Sequence, residues 1–523
     1  MADLLIIPFG WGGMLSHFLF QNKMPCLSQI KITDGKGGNI VTIHAELGKN
    51  LEVLKKRFGQ SDDMMFYSFT YGNGKCDACL IYIDGLTDNQ LLAEYIISPV
   101  QAAARHQEEP AETPPSSISF GYRHTRLSSL KDAEADIFSG KSVLLAEGWE
   151  EALSFETETF KMRDIEEPTS EVLERGPRIG FVEKLRTNTA LLREQSGDPN
   201  LQIKEITLGE RTKKRIAVAY IRDIAPDDVV KEVMKRLDSI TIDDIPESGA
   251  IEQLIEDNTY SIFPTVLTTE RPDRVMGALL EGRVSILVDG TPFTLLVPAT
   301  VDEFIHSPDD YNQRWVPVTF LRLLRYTCIL ITIYLPGLYI SLVTFHTGLL
   351  PTRMAVTIAG SRLNVPFPPF VEAFIMIFTI EMIREAGLRL PKPIGQTIGL
   401  IGGVVIGQAA VQANIVSAMM VIVVSVTALA SFTAPSYAFN FPLRLIRIFS
   451  MILSAILGLY GLIMCYLLVI GHLMRLKSFG QDYLIPIMAQ PGQDLKDTIV
   501  RLPTPLLKKR PTRKETKDKI KQR

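Results

Sequence analysis

The chain has 523 residues, 46% hydrophobic and 22% charged, with a formal net charge of −3. That average hides three compositions: residues 1–320 carry 33 Lys+Arg against 50 Asp+Glu, residues 321–474 nine against three, and residues 475–523 thirteen against five. The charge-poor middle block excludes a single soluble domain, five cysteines exclude a small disulfide scaffold, and the acidity of the first 320 residues argues against a nucleic-acid-binding surface there.

Residues 1–50 form an unassigned N-terminal extension. Leu4–Phe9 is apolar but short, lacks a preceding basic residue and has no clear cleavage site, so it does not read as a secretory signal. The first α/β subdomain is expected over 51–104. Its stretch Ile81-Tyr82-Ile83-Asp84-Gly85-Leu86-Thr87-Asp88-Asn89-Gln90-Leu91-Leu92 matches Ala219-Tyr220-Ile221-Arg222-Asp223-Ile224-Ala225-Pro226-Asp227-Asp228-Val229-Val230 at an offset of 138. Each reads as an apolar strand, a short turn and an amphipathic helix. Thr87 and Gln90 have capping-box spacing, and Pro226 suits a helix first turn. Arg105–Ser119, with three prolines, reads as the linker to a second related subdomain over 120–310. That subdomain includes a hairpin of Val284–Val288 and Phe293–Val297, its turn opened by Asp289-Gly290.

Two motifs in this region suggest catalysis and then fail. Gly140-Lys141-Ser142 resembles the end of a phosphate loop, but position 135 is Ala where the loop needs its first Gly. Cys76-Asp77-Ala78-Cys79 has redox or half-zinc-site spacing, but no second Cys or His pair accompanies it, and a buried structural pair is the simpler reading. Seven scattered His offer no ligand cluster. No enzyme activity, cofactor or metal is expected.

The middle block, 321–474, reads as a transmembrane domain of about five apolar segments. Uncharged runs of 27, 51 and 27 residues lie between Arg325 and Arg353, Lys392 and Arg444, and Arg447 and Arg475. A span needs about 20 apolar residues. Tyr326–Phe345 and Ile448–Ile470 each have length for one pass, and Ile394–Phe432 for two, turning near Gln412-Ala413-Asn414. Phe370–Ile383 is shorter and carries Glu372 and Glu381. The basic tail, 475–523, favours the cytoplasmic side, and with both ends inside the number of passes must be even. Four and six passes both remain open. The expected fold class is therefore an α/β cytoplasmic region of two related subdomains followed by an α-helical transmembrane bundle.

Gly395, Gly399, Gly403 and Gly407 stand four apart, a spacing that places them on one slowly drifting helix face. Such a face lets two helix backbones approach closely in lipid. Gln408 and Gln412 share a face by i,i+4 spacing, and their amides need partners or water. A packed helix interface and the lining of a narrow conduit both fit this pattern. Glu372 and Glu381, nine residues apart, fall on opposite sides of their helix. An intramembrane carboxylate invites an ion-path role, and pairing of Glu381 with nearby arginines is the simpler alternative.

Motifs in order along the chain then resemble one family. They are Gly176-Pro177-Arg178, Thr269-Glu270-Arg271-Pro272-Asp273, Asp309-Asp310-Tyr311, Phe345-His346 with Pro351-Thr352, Val365-Pro366-Phe367-Pro368, Arg384-Glu385-Ala386-Gly387-Leu388-Arg389-Leu390-Pro391, Val405-Ile406-Gly407, Ser431-Phe432 with Pro435, Tyr483-Leu484 with Pro486, Arg501-Leu502-Pro503 and Arg510-Pro511. The chain resembles the A subunit of the GerA-type germinant receptors of endospore-forming bacteria over about residues 50–511. The resemblance implies a multi-pass protein of the spore inner membrane, with its N-terminal domain and C-terminal tail cytoplasmic. It implies action with a transporter-like B subunit and a lipoprotein C subunit, and assembly as a homo-oligomer into a ligand-gated cation channel that triggers germination. A secondary transporter and a non-conducting scaffold for the other subunits are the alternatives.

Overall fold

The computed structural model describes residues 42–58, 61–71, 76–103, 120–158, 167–168, 170–390, 407–485, 495–510 and 516–521. Most of the extension expected at 1–50 lies outside them.

The acidic region folds into two five-stranded antiparallel sheets. The first comprises β1 (Met64–Tyr71), β2 (Cys76–Ile83), β3 (His124–Leu127), β4 (Ser142–Ala146) and β5 (Ala152–Phe155), in the order β1-β2-β4-β5-β3. The second comprises β6 (Leu201–Leu208), β7 (Lys214–Ile221), β8 (Leu267–Thr269), β9 (Val284–Val288) and β10 (Thr294–Val297), in the order β6-β7-β9-β10-β8. The permutation is the same, so the two subdomains are related. Every residue of β4 and of β9 is buried, because helices cover both faces of each sheet. In the first subdomain these are α1 (Leu47–Phe58), α4 (Leu130–Phe138) and a continuous helical stretch of α2 (Asn89–Leu91), a π-helical turn Leu92–Ile97 and α3 (Ser98–Ala103), which buries Leu92, Ile96 and Val100. In the second they are α5 (Leu185–Gln195), α6 (Asp227–Asp238), α7 (Ser248–Ile255) and α8 (Pro272–Leu279). The helix α6 shows why: Asp227 and Asp228 favour its N-terminus, Lys235 and Arg236 its C-terminus, and Val229, Val230, Val233 and Leu237 bury one stripe. In the first copy the cap is Asp88, whose carboxylate accepts from the Gln90 amide at 2.8 Å. Thr87 instead donates to the Ile83 carbonyl, so the capping box expected from Thr87 and Gln90 is replaced by a single side-chain cap one residue later.

The repeat extends to its fastenings. The Asn50 side chain accepts from the His44 amide at 3.0 Å and donates to the His44 carbonyl at 2.6 Å. Asn188, 138 residues on, does the same with Val182 at 2.8 and 2.6 Å. The Glu147 carboxylate accepts from the Leu47 amide at 2.8 Å, and the Asp289 carboxylate from the Leu185 amide at 3.0 Å. Each pair satisfies backbone groups that would otherwise be orphaned at a helix start. Between the subdomains, buried Arg193 donates to both oxygens of Asp63 at 2.6 and 2.9 Å and to Ser61 Oγ at 2.7 Å.

The strand order places the boundary later than the composition suggests. Residues 105–119, expected as the inter-subdomain linker, fall between α3 and β3 of the first sheet and lie outside the described residues. The first sheet needs β3, β4 and β5 to complete its core.

The second subdomain leads through α9 (Val301–Ile305) and α10 (Asp309–Asn312) into a helical block. It comprises α11 (Trp315–Thr344), α12 (Thr352–Arg362), α13 (Pro369–Arg389), α14 (Gly407–Gln412), α15 (Ala418–Ser431), α16 (Tyr437–Leu457) and α17 (Leu459–Arg475). Two of these, α11 and α16, are long and apolar enough to cross a membrane. The 30 residues of α11 extend about 45 Å at 1.5 Å per residue. Ile448–Ile470, expected as one span, is broken at Gly458, whose φ of +60 ends α16 and lets α17 double back. The carbonyl of Leu453 lies against Gly461 so closely that no side chain fits there.

One apolar cluster joins the second sheet to this block. It runs from Leu201, Ile203 and Leu287 through Phe304 and Tyr483 to Phe439, Leu443 and Ile446 of α16 and Cys465 and Leu473 of α17. The rings of Phe304 and Phe439 stack at 5.9 Å. Burying each such large side chain contributes about 1.5–3 kcal/mol. The tail returns to the same subdomain: Ser478 Oγ donates to the Thr265 carbonyl at 2.7 Å, and Lys517 pairs with Asp227 at 2.7 Å.

Candidate functional site

Charged groups gather at two places: the junction between the α/β region and α11, and the interior of the helical block. At the junction, Asp309-Asp310-Tyr311 forms the short α10, and Arg322 and Arg325 lie three residues apart on α11, hence on one face. Asp310, 1% exposed, accepts from Arg322 Nε at 3.1 Å and from both terminal nitrogens of Arg325 at 2.7 and 2.9 Å. Burial works against this carboxylate, but the two guanidinium groups outweigh it and hold its pKa below the usual range. Arg322 also reaches Asp497 of α18 (Leu495–Thr498), bonding its carbonyl and, at 3.1 Å, its carboxylate. Arg501 donates to the carbonyls of Gln313 at 2.8 Å and Tyr311 at 3.2 Å. The start of α11 is thereby tied to the α/β region on one side and the tail on the other.

His306 sits beside this network. Its Nε2 donates to the Thr498 carbonyl at 2.8 Å, since a carbonyl can only accept. Burial, and next the nearby Arg322 charge, push the imidazole pKa down to about 4, so the ring is neutral at ordinary pH. A cavity of about 370 Å³ opens here, bounded by Arg274, Asp302, His306, Tyr311, Asp497 and Lys521 among others.

Inside the block, the two carboxylates of α13 take different partners. Glu372, fully buried, accepts from the Ser417 amide at 3.0 Å, Ser417 Oγ at 2.9 Å and Arg362 Nε at 3.1 Å. It therefore holds α12 and the start of α15 to α13. Glu381 meets Arg447 at 2.6 Å and Arg444 at 3.3 Å, both on α16, and Arg384 at 3.8 Å. Arg389, the other arginine near it in sequence, pairs with Glu385 at 2.8 Å. Ion pairing satisfies both acids, as burial of a carboxylate requires.

Of the predicted glycine face, Gly395, Gly399 and Gly403 lie outside the described residues. Gly407 is buried at the start of α14, whereas Gln408 and Gln412 are exposed on the single chain. Among the described residues, close helix approach occurs elsewhere. A Cβ on Gly337 of α11 would stand 2.7 Å from Ser454 Oγ and 3.0 Å from Ser450 Oγ of α16, and Ser450 Oγ donates to the Ile333 carbonyl at 2.7 Å. Small residues here let the two long helices touch, in the manner of membrane helices.

Three residues of the enzyme-like motifs have described surroundings. Lys141 pairs with Asp136 at 3.1 Å, and Ser142 is buried against Thr157 Oγ1. Cys79 is a free buried thiol in β2. Among the described residues no His, Cys, Asp and Glu group could hold a metal ion. Sequence reasoning missed the joint action of Asp310, Arg322, Arg325 and Asp497, and the Arg362–Glu372–Ser417 clamp. Its signals were the Asp309-Asp310-Tyr311 motif and two basic residues opening an apolar helix.

A duplicated α/β region packed against a helical block that contains two membrane-length helices, with buried ion pairs where the two meet, is the architecture of a protein that joins an α/β region to a membrane-type helical domain. The chain belongs to the Bacillus/Clostridium GerA spore germination protein family, whose family model matches residues 52–513. It is 71% identical to spore germination protein B1 of Bacillus subtilis (strain 168) over 481 residues, which are 92% of this chain and 100% of that protein. It is 44% identical to spore germination protein A1 of the same organism over 462 residues, 87% of this chain and 93% of that one. The crystal structure of the N-terminal domain of the A subunit of the Bacillus megaterium spore germinant receptor GerK3 is 33% identical, with a TM-score of 0.38 over 50% of this chain and 98% of that chain. The family and the two long helices are consistent with a membrane location.

Proposed function

We propose that the chain is the A subunit of a nutrient germinant receptor in the spore inner membrane. In this reading it works with a transporter-like B subunit and a lipoprotein C subunit, and oligomerises into a ligand-gated cation channel. The observation that carries the reading is the joint at α11. The first long apolar helix is held at its base by Asp310 on one side and Asp497 on the other. Its neighbour α16 shares a core with the second sheet. A rearrangement of the α/β region, imposed by a partner that has bound nutrient, then has a rigid route to the helices. The tail's bonds to the second subdomain favour both lying on one side of the membrane, cytoplasmic by the positive-inside rule, which calls for an even number of passes. Gln408 and Gln412, exposed on the single chain, are the amides that would face a conduit or a neighbouring copy, together with the Gly395, Gly399, Gly403 and Gly407 face. Glu372 and Glu381 serve as helix fastenings in this scheme, without an ion-path role.

The test is assembly. Single cysteines at Gly403 and Gln408 in an otherwise cysteine-free chain are crosslinked in spore membranes, and the purified protein is weighed by native mass spectrometry. A ring of copies joined through these positions is the expected result. A monomer in a receptor that still germinates spores would refute the channel and leave a transporter or scaffold.

A further inference from the structure

We propose that Arg384, Arg444 and Arg447 form a binding site for the phosphate of an anionic phospholipid. The proposal rests on the membrane reading above and goes beyond it. Residues 321–474 contain only three acidic residues, Glu372, Glu381 and Glu385. Glu372 is engaged by Arg362 and Glu385 by Arg389. Arg384, Arg444 and Arg447 are left to share Glu381, at 3.8, 3.3 and 2.6 Å. Three guanidinium groups on one carboxylate leave two positive charges without a counter-charge among the described residues. Residues 391–406, outside the described set, hold no Asp or Glu and add Lys392. In a low-dielectric setting such an excess is expensive unless an anion neutralises it.

The hydrogen-bonding inventory points the same way. The Nε of Arg384, of Arg444 and of Arg447 is each buried without an acceptor among the described residues. Arg447, whose side chain is 3% exposed, is fixed by Glu381, while Arg384 and Arg444, at 14% and 18%, open toward the surface of the block. The surroundings select a lipid. The Arg384 guanidinium lies 4.7 Å over the ring of Phe432, and Phe432, Tyr437 and Phe441 are all exposed on the outer surface. Exposed aromatics at helix ends mark the headgroup level of a bilayer, and a basic pocket between helices at that depth takes anionic headgroups. A phosphodiester offers acceptor oxygens matching guanidinium forks, and its acyl chains would lie along the exposed apolar surface of α13 and α16.

The full-length chain is purified with its native lipid annulus, and retention of phosphatidylglycerol against phosphatidylcholine is read by native mass spectrometry. The wild type is expected to prefer phosphatidylglycerol, and R384Q/R444Q to lose that preference by on the order of 30-fold (about 2 kcal/mol at 1.4 kcal/mol per decade). R384K/R444K, which keeps the charge, should retain most of it. Equal retention of both lipids by the wild type would overturn the site. So would inorganic phosphate raising the unfolding midpoint as much as short-chain phosphatidylglycerol, which would assign a free anion. Protection of Arg384 and Arg444 from phenylglyoxal only on adding the other receptor subunits would assign a protein carboxylate and also overturn it. Alkaline carbonate extraction separates the two layers of the claim. A chain that stays in the membrane but shows no preference refutes only the lipid site, whereas a chain that is released removes the membrane reading and the site with it.

Discussion

Replacing Asp310 by Asn keeps the side chain's size and removes its charge. The carboxylate faces Arg322, fully buried, and Arg325, 13% exposed at the side chain, through three hydrogen bonds of 2.7–3.1 Å. Removing one partner from a buried ion pair costs about 3–5 kcal/mol, because the remaining charge stays buried. Arg322 keeps Asp497, so the lower figure, about 3 kcal/mol, applies. If the α/β subdomain beside the joint melts as one unit, at about 2–4 °C per kcal/mol for a domain of roughly 150–250 residues, its unfolding midpoint in the detergent-purified chain should fall by roughly 6–12 °C. The pH dependence has a defined sign. The folded carboxyl is held below its ordinary pKa, so its stabilisation is present above about pH 4 and is lost as pH falls further, and Asp310→Asn should flatten that acid limb. In D310N/R325Q the two losses should be less than additive by at least about 1 kcal/mol. In spores, Asp310→Asn should weaken the nutrient response more than it lowers the amount of protein. A shift under about 2 °C, with strict additivity of the double variant, would refute the buried-joint reasoning.

Three further outcomes follow from local geometry. Gly337→Leu should cost about 1–3 kcal/mol by driving α11 from Ser450 and Ser454, and Gly348→Leu, with nothing near its Cβ direction, should cost little; thermal unfolding in detergent compares them. Burial, then Glu256 and Glu247, raise the Glu252 carboxyl to about 7. Its unfolded form ionises near 4.3, so this group lowers stability progressively between those values; Glu252→Gln should match the wild type near pH 4 and exceed it above pH 7 in chemical unfolding. His306, pushed down to about 4 from an unfolded value near 6.5, makes the fold lose stability as pH falls from 6.5 to 4, and His306→Gln should remove that slope in the same titration.

The repeat was legible where strand and helix patterns coincide at an offset of 138, around Tyr82 and Tyr220. It was illegible in the second half of each copy, where the offset becomes 142. There the match survives as backbone conformation: Gly140 and Gly282 have φ of +89 and +88, and Gly148 and Gly290 +84 and +88. The clamps of Asn50 and Asn188 carry no local signal, because each is a lone polar residue whose partner is set by the fold. Arg105–Ser119 was read as the boundary because proline-rich composition carries no information about which strands share a sheet, and in chain order it falls between α3 and β3 of the first sheet. Gly458 was read through because hydropathy is blind to φ. Glu381 stood out in the sequence as an acid within an apolar segment, but its closest partners, Arg444 and Arg447, lie more than 60 residues away, beyond any spacing rule.

The most direct test of the account is electrical. The complete receptor, reconstituted in a planar bilayer, should pass monovalent cations in discrete steps only when nutrient is present. Gln408→Leu should change the step size, and Asp310→Asn the response to nutrient. Saturable solute uptake without any current, from a fully assembled complex, would contradict the account.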